Sequence, residues 1–194
     1  MQKIILASRS PRRKQLLEWA EVSFEVRVLE TEENYPEGLS LTETAIHIAR
    51  NKALAVRTDL LKDMVTSMRT ILAADTIVVL HGKIIGKPVD RQDAIDILTA
   101  LSGQHHQVIT GVVILQDDHE RAFADTTDVV FHSLTHEQIV FYVDKYEPYD
   151  KAGAYAIQEW IGVVGIKSVT GDFYNVMGLP ISRVVRELAN MNHI

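Results

Sequence analysis

The sequence predicts an α/β fold, because segments with strand patterns alternate with segments of helical periodicity along most of the chain. Its 194 residues are 46% hydrophobic and 24% charged, which is typical of a globular protein. A chain of this length buries about 70% of the surface that its unfolded form exposes, so it can form a hydrophobic core without disulfides. It contains no internal repeat, low-complexity tract or flexible linker. We therefore expect a single domain over residues 1–194.

Capping residues mark two helices in the first half of the chain. Ser10 at the N-cap and Pro11 at the first helical position predict a helix that ends near residue 20. Ser40 and Glu43 have the spacing of a capping box. The predicted elements are a strand at residues 3–7, a helix at 11–20, a strand at 22–29, an acidic loop at 30–39, a helix from 41 to about 56, and a polar, unassigned stretch at 58–69.

The strongest strand pattern is residues 71–80, where both faces are apolar, as in a central strand of a sheet. His81 and Gly82 then predict a hairpin turn. The remaining predicted elements are a strand at 83–85, a helix capped by Asp90 and ended by Gly103, strands at 107–115 and 122–131, a helix from 135 to about 145, a loop at 147–158, a strand at 161–168 and a helix at 180–191.

Composition excludes several classes of protein. The net charge of −6 argues against nucleic acid as a partner, because proteins that bind it in bulk are usually basic. The absence of cysteine excludes disulfides, thiolate metal sites and a cysteine nucleophile. The eight histidines form no zinc-binding pattern, and no GxGxxG, P-loop or GxSxG motif occurs. No apolar run approaches the ~20 residues that cross a bilayer, so we expect a cytoplasmic protein with no membrane partner.

Basic residues surround the predicted start of the first helix. Arg9, Arg12, Arg13 and Lys14 lie where a helix carries about half a positive charge and free N–H groups, an environment that favours anions. The functional interpretation is a phosphate site completed by the hydroxyl of Ser8 or Ser10. The alternative is a solvated basic turn.

A second anomaly is Asp75, a carboxylate inside the apolar strand at 71–80. A buried carboxylate is costly unless it is paired, binds metal or lies at the edge of a cleft. The functional interpretation is a general base or a metal ligand. The alternative is a structural aspartate that is hydrogen-bonded to backbone amides.

Three further candidates have ordinary explanations beside the functional one. Lys52 falls on the apolar stripe of its helix and could approach Asp75, or its aliphatic chain could simply cover apolar surface. Lys87 follows Gly86 in a GKP sequence, which suits a phosphate contact or a simple turn. Glu33 belongs to an acidic run that could hold a divalent cation with Asp75, or be a solvated loop. Together the residues indicate metal-assisted phosphoryl chemistry, without choosing the base or the bond.

These residues belong to motifs that occur in a fixed order. The motifs are ASRSPRR at 7–13, Glu33, Lys52, AADTIV at 73–78, GKP at 86–88, LSGQHHQVITG at 101–111, DKAGAYAIQ at 150–158 and GDFYNVMGLPIS at 171–182. The series resembles the Maf family of nucleoside triphosphate pyrophosphatases over about residues 3–190.

The resemblance implies a fold and a reaction. The fold would be an elongated, two-lobed α/β structure, similar to inosine triphosphatase, with a central mixed sheet flanked by helices and a deep cleft. The reaction would be hydrolysis of a nucleoside triphosphate to its monophosphate and pyrophosphate with a divalent cation (Mg²⁺, Mn²⁺ or Co²⁺), and the resemblance also suggests a homodimer. The implied roles are catalysis by Asp75, Lys52 and Lys87, substrate binding by Ser8, Arg12, Arg13, Thr76 and Gln158, and metal binding by Glu33 and Asp75.

The sequence further resembles the family branch that acts on dTTP and UTP, through Arg12, ADT at 74–76 and AYAIQ at 154–158. We therefore expect hydrolysis of dTTP, UTP and modified pyrimidine nucleotides such as 5-methyl-UTP or pseudo-UTP. The amide of Gln158 offers both a donor and an acceptor to a pyrimidine edge. Trp160 is a departure from the family pattern that could narrow the base pocket. The alternatives are a nucleotide-binding regulator of cell division with little turnover and a purine house-cleaning enzyme.

Overall fold

The structure, a computed structural model, describes residues 3–62 and 69–191. Within these ranges it contains seven strands and seven α-helices, and two short 3₁₀ helices follow the fourth α-helix. The strands are β1 (Ile4–Leu6), β2 (Phe24–Val26), β3 (Thr70–Leu80), β4 (Lys83–Ile85), β5 (His105–Gln116), β6 (His119–Phe131) and β7 (Ile166–Thr170). The helices are α1 (Pro11–Trp19), α2 (Leu41–Lys62), α3 (Arg91–Leu101), α4 (His136–Tyr146), α5 (Trp160–Gly165), α6 (Phe173–Met177) and α7 (Ile181–Asn190), and the 3₁₀ helices are Pro148–Asp150 and Ala152–Ala154.

The strands form a mixed sheet, which confirms the predicted α/β class. Their order is β2-β1-β3-β5-β6-β7, and β4 pairs with β3. Strand β1 is parallel to both β2 and β3, whereas the β3–β4 and β6–β7 pairs are antiparallel. None of the helices in the described ranges is both long and apolar enough to cross a membrane.

The chain divides into two compact units. Three of the four boundaries fall inside β3, β5 and β6, and the fourth lies between residues 177 and 178, at the end of α6. The first unit contains β1, β2, α1, α2 and α7. Its core forms where α2 packs against β1, β3 and β5, through Ala49, Ala53 and Val56 on the helix and Ile71 and Ala73 on β3. The described part of this unit comprises residues 3–62, 69–75, 110–125 and 178–191.

The close approach of α2 to β5 depends on Gly111. A Cβ at this position would lie 2.3 Å from the carbonyl carbon of Ala45 and 2.4 Å from the backbone nitrogen of Ile46. Such distances lie well inside van der Waals contact, so only glycine lets the helix lie this close to the strand. The position of α2, which carries Lys52, follows from this contact.

The second unit consists of residues 76–109 and 126–177. Helices α3 and α4 pack against each other, and α3 also packs against the 3₁₀ helix Ala152–Ala154. His106, Phe131 and Tyr155 form a buried aromatic cluster with edge-to-face contacts at centroid distances of 5.0 to 5.5 Å. Such pairs stabilise a core beyond their buried area.

The local signals were the most reliable predictors. Ser40 and Glu43 form the predicted capping box. Thr135 and Gln138 form a second capping box at the start of α4. Asp90 caps α3 by accepting a hydrogen bond from the backbone of Asp93. The predicted hairpin turn after β3 is confirmed, with positive φ angles at the two residues that the sequence indicates, His81 and Gly82.

The predicted strand at 161–168 is wrong. Its first part is the helix α5, and β7 begins only at residue 166. Ile161 and Gly165 are the buried positions of the helix, and their i, i+4 spacing is helical. A short apolar run does not distinguish a strand from a helix, which explains the error.

Other boundaries differ from the prediction. Helix α2 continues to residue 62, and residues 63–68 of the unassigned stretch lie outside the described ranges. Helix α6 and the two 3₁₀ helices were not predicted, because each is too short to show helical periodicity. The single domain, the elongated outline and the deep cleft stay predictions.

Candidate active site

The turn after β1 holds Ser8 in a buried position. The Ser8 hydroxyl oxygen accepts hydrogen bonds from the backbone nitrogen of Ser10, at 3.2 Å, and from Arg13 Nη1, at 3.0 Å. A hydroxyl has two acceptor lone pairs and one hydrogen, so the O–H hydrogen is what Ser8 can still offer to an anion. Ser10 occupies the N-cap of α1 as predicted, although its side chain makes no capping hydrogen bond.

Arg13 lies on the core side of α1 and is buried. Its Nε donates to the carbonyl oxygen of Gly178 at 2.8 Å. Burial lowers the pKa of Arg13, the negative charges of Asp75 and Glu33 oppose that change, and the positive charge of Arg12 adds to it. The structure therefore places Arg12, Arg13, Glu33 and Asp75 within one electrostatic environment.

Lys52 joins the two candidate carboxylates. Its Nζ lies 2.6 Å from Asp75 Oδ1 and 2.9 Å from Glu33 Oε1. The side chains of Lys52 and Asp75 are only 19% and 12% exposed, whereas that of Glu33 is 51% exposed. Asp75 follows Ile71 and Ala73 on the β3 face that packs against α2, and this places its carboxylate opposite Lys52.

Of the acidic run, only Glu33 reaches this cluster. Glu30 forms an exposed ion pair with Arg9 at 3.4 Å, and Glu32 accepts a hydrogen bond from Asn34. Within residues 3–62 and 69–191, no group of three or more histidines and carboxylates is arranged to hold a metal ion. Glu33 and Asp75 nevertheless place carboxylate oxygens on the same positive charge, the ammonium group of Lys52. Such a donor pair fits a Mg²⁺ ion that takes one or two carboxylates and completes its shell with water and substrate phosphates.

The second unit carries the other candidates. Thr76 is partly exposed on β3, Lys87 is exposed after β4, and Gln158 is the exposed residue that follows the buried stretch 153–157. The backbone nitrogen of Gly153 donates to the carbonyl oxygen of Gly86 at 3.1 Å, which ties the turn carrying Lys87 to the segment carrying Gln158.

Gly153 also contacts the strand that carries Thr76. It has a φ of 71°, and a Cβ there would lie 3.0 Å from Val78 Cγ2. Both the left-handed backbone and the close approach favour glycine at this position. Gly153 therefore links the three segments that carry Thr76, Lys87 and Gln158.

Sequence reasoning missed three residues around Gln158. Lys151 is buried beside Glu159, and the buried Tyr142 on α4 contacts Glu159 as well. A lysine directly before the apolar sequence AGAYAI was the available signal for Lys151. The contact between Tyr142 on α4 and Glu159 joins separate segments, and local patterns do not reveal it. Trp160 packs edge-to-face on Phe141 at 4.9 Å, and its contact with a base stays a prediction.

Comparison with known proteins identifies the family. Residues 3–191 match the family described as Maf-like protein. The chain belongs to the Maf family. A relative from Bacteroides fragilis strain YCH46 is 47% identical over 190 residues, covering 97% of this chain and 96% of the relative. One from Cytophaga hutchinsonii is 48% identical over 188 residues, covering 97% and 84%. Both of these relatives are named dTTP/UTP pyrophosphatase.

A relative from Porphyromonas gingivalis strain W83 carries the same name. It is 46% identical over 187 residues, covering 96% of this chain and 92% of the relative. The similarity covers 84% to 96% of the length of these three relatives. The family match over residues 3–191 includes every candidate site residue.

Proposed function

We propose that this protein is a nucleotide pyrophosphatase that hydrolyses dTTP and UTP to the nucleoside monophosphate and pyrophosphate. The observation that carries the proposal is the Glu33–Lys52–Asp75 cluster, in a chain similar over its length to proteins named dTTP/UTP pyrophosphatase. A carboxylate and an ammonium group held together in a largely buried place suit a reaction in which negative charge shifts between phosphates.

In the proposed reaction, Asp75 orients a water molecule and accepts its proton. The water oxygen forms a bond to the α-phosphorus while the bond from this phosphorus to the α–β bridging oxygen breaks, and pyrophosphate leaves with that oxygen. Lys52 contacts Oδ1 of Asp75, so we assign the water to the second carboxylate oxygen, Oδ2. Positioning and electrostatic stabilisation account for such a reaction without a covalent intermediate.

The remaining side chains balance the charge of the triphosphate. We assign Arg12, Lys87 and the Ser8 hydroxyl to phosphate oxygens, since guanidinium and ammonium groups and hydroxyls recognise phosphate well. Arg13 is also assigned to the phosphate site, where its bond to Ser8 orients that hydroxyl and its charge adds to the positive potential. A divalent cation, when bound, would neutralise charge on the phosphate oxygens, and Glu33 and Asp75 would hold it.

Recognition of the base is assigned to Thr76 and Gln158. A uracil or thymine ring presents an N–H donor next to a carbonyl acceptor, and one amide group complements both. The exposed position of Gln158 at the end of a buried stretch supports this assignment.

A substrate panel tests the proposal. Pyrophosphate release is measured on dTTP, UTP, CTP, 7-methyl-GTP, ITP and dATP, with and without Mg²⁺, Mn²⁺ or Co²⁺. We expect metal-dependent cleavage of dTTP and UTP in preference to the others. Binding of nucleotides without turnover would favour a nucleotide-binding regulator, and preference for ITP would favour a purine house-cleaning enzyme.

We also propose a cytoplasmic homodimer, on the strength of the family resemblance. Light scattering coupled to size-exclusion chromatography measures the mass of the assembly against the 21.8 kDa of one chain. Cell fractionation tests the location.

A further inference from the structure

An ion pair joins the two ends of the segment 151–159, which contains Gln158. Lys151 Nζ lies 2.8 Å from Asp150 Oδ1 and 3.6 Å from Glu159 Oε1, with the lysine side chain only 9% exposed. A lysine this buried is costly unless it is paired, and Asp150 and Glu159 supply the negative charges that stabilise it.

Tyr142 fastens the same segment to α4. It is fully buried, and its hydroxyl donates to Glu159 Oε2 and accepts from the backbone nitrogen of Ala156 at 3.1 Å. The Tyr142 hydroxyl therefore holds the chain on both sides of Gln158, at Ala156 before it and at Glu159 after it. Ring stacking on Tyr146, at a centroid distance of 4.9 Å, fixes the direction of the Tyr142 side chain.

Gln158 is therefore exposed but firmly supported on both sides. The side chains of 154–157 are buried before it, and Glu159 after it is held by a hydroxyl and an ammonium group. The Glu159 carbonyl oxygen also accepts from the backbone nitrogens of Gly162 and Val163, which anchors the start of α5. Because this backbone is constrained, the Gln158 side chain can adopt few positions. Recognition of the hydrogen-bonding edge of a base requires a side chain held in this way.

We propose that Tyr142, Glu159 and Lys151 are positioning residues that set Gln158 for recognition of the pyrimidine base. The inference rests on the proposed function, in which Gln158 reads that base. None of the three contacts the substrate in this account. They act by fixing the backbone on both sides of Gln158, so their loss affects the binding of the base and leaves the reacting groups in place.

The variant Tyr142→Phe removes the hydroxyl and keeps the ring, and Tyr146→Phe is the matched control on the ring stacked against it. For Tyr142→Phe we expect KM for dTTP to rise about tenfold, with kcat within about twofold of wild type. The preference for dTTP over CTP, taken as the ratio of kcat/KM values, should fall by about the same factor. Tyr146→Phe should leave both quantities unchanged.

Substitutions at Glu159 separate the hydrogen bond from the charge. Glu159→Gln still accepts from Tyr142 but loses the attraction to Lys151, so we expect about a threefold rise in KM for dTTP. Glu159→Ala loses both contacts, and its KM for dTTP should lie within about twofold of the KM of Tyr142→Phe. If Tyr142→Phe does not fold, Glu159→Ala carries the test.

Two results would overturn the inference. One is a fall in kcat on every nucleotide at unchanged KM, which is the effect of a smaller folded fraction. The other is an unchanged ratio of dTTP to CTP in both Tyr142→Phe and Glu159→Ala. A wild-type protein that hydrolyses no nucleotide would contradict the proposed function instead. In that case the positioning role is tested by measuring the affinities of the wild type and Tyr142→Phe for UMP and CMP. Loss of the preference for UMP over CMP in Tyr142→Phe supports the positioning role, and an unchanged preference contradicts it.

Discussion

Lys52 Nζ lies 2.6 Å from Asp75 Oδ1, in an ion pair that joins α2 to β3. The same ammonium group lies 2.9 Å from Glu33, so one positive charge is shared by two carboxylates. Removing one partner from a largely buried pair leaves an uncompensated charge, which is why Lys52 contributes both to stability and to the proposed chemistry.

The first prediction concerns Lys52→Met, which keeps the aliphatic length and removes the charge. We expect kcat/KM for dTTP to fall at least about 100-fold, because Asp75 and the phosphates lose their shared cation. Lys52→Arg should restore less than about a tenth of the activity, since a planar guanidinium does not reproduce a compact ammonium between two carboxylates. Steady-state kinetics with circular dichroism as a folding control measures both variants, and full activity in Lys52→Met would remove Lys52 from the site.

Glu33→Gln should change the metal requirement. Glu33 is the more exposed carboxylate of the pair and is not the proposed base, so its loss should weaken metal binding more than chemistry. We expect the Mg²⁺ concentration for half-maximal activity to rise about tenfold, with kcat at saturating Mg²⁺ within about threefold of wild type. Activity titrated against Mg²⁺ measures both, with Glu32→Gln as the control. An unchanged Mg²⁺ dependence would exclude Glu33 as a ligand.

Gly111→Ala should destabilise the first unit. The added Cβ would lie 2.3 Å from the backbone of Ala45, so α2 must move away from β5. We expect the free energy of unfolding to fall by about 3 kcal/mol. Urea denaturation measures it, with Gly86→Ala as the control, because a Cβ at Gly86 meets no atom within 4 Å. Equal stability in the two variants would contradict the packing described for α2.

His106 should make stability depend on pH. Burial lowers its pKa from 6.5 to about 4, and the neighbouring His105 acts in the same direction. Between these two values the unfolded chain binds more protons than the folded one, so the free energy of unfolding rises with pH and falls on acidification. Between pH 7 and pH 4 the wild type should lose about 3 kcal/mol more than His106→Gln does.

Urea denaturation at intervals of pH measures this difference. Tyr155, whose hydroxyl lies 2.8 Å from His106 Nε2, is neutral over this range, since the ordinary pKa of a tyrosine is about 10 and burial raises the pKa of Tyr155 further. Parallel curves for the wild type and His106→Gln would show that the imidazole is not held neutral by its surroundings.

The sequence predicted which residues form the candidate site better than it predicted how those residues are arranged. Asp75 and Lys52 are charged residues within apolar patterns, and this is why the sequence indicated both of them as candidate site residues. Their direct pairing, and the choice of Glu33 over Glu30 and Glu32, come from contacts between distant segments that no local pattern encodes. The same limit explains why Tyr142 escaped notice, since a tyrosine on a helix is usually core.

The boundaries of short elements were the weakest predictions. In α5, an apolar run beginning at Ile161 suits a strand as well as a helix, and tertiary contacts decide between them. The capping box at Ser40 and the turn at Gly82 were predicted correctly because the causes of both lie within a few residues.

The most direct test of the account is Asp75→Asn, assayed for both turnover and nucleotide binding. This substitution keeps the size of the side chain and removes the proposed base. We predict that kcat for dTTP falls about 1,000-fold, while the dissociation constant for dTTP stays within about fivefold of wild type. Turnover equal to that of the wild type would contradict the assignment of Asp75 as the group that activates water.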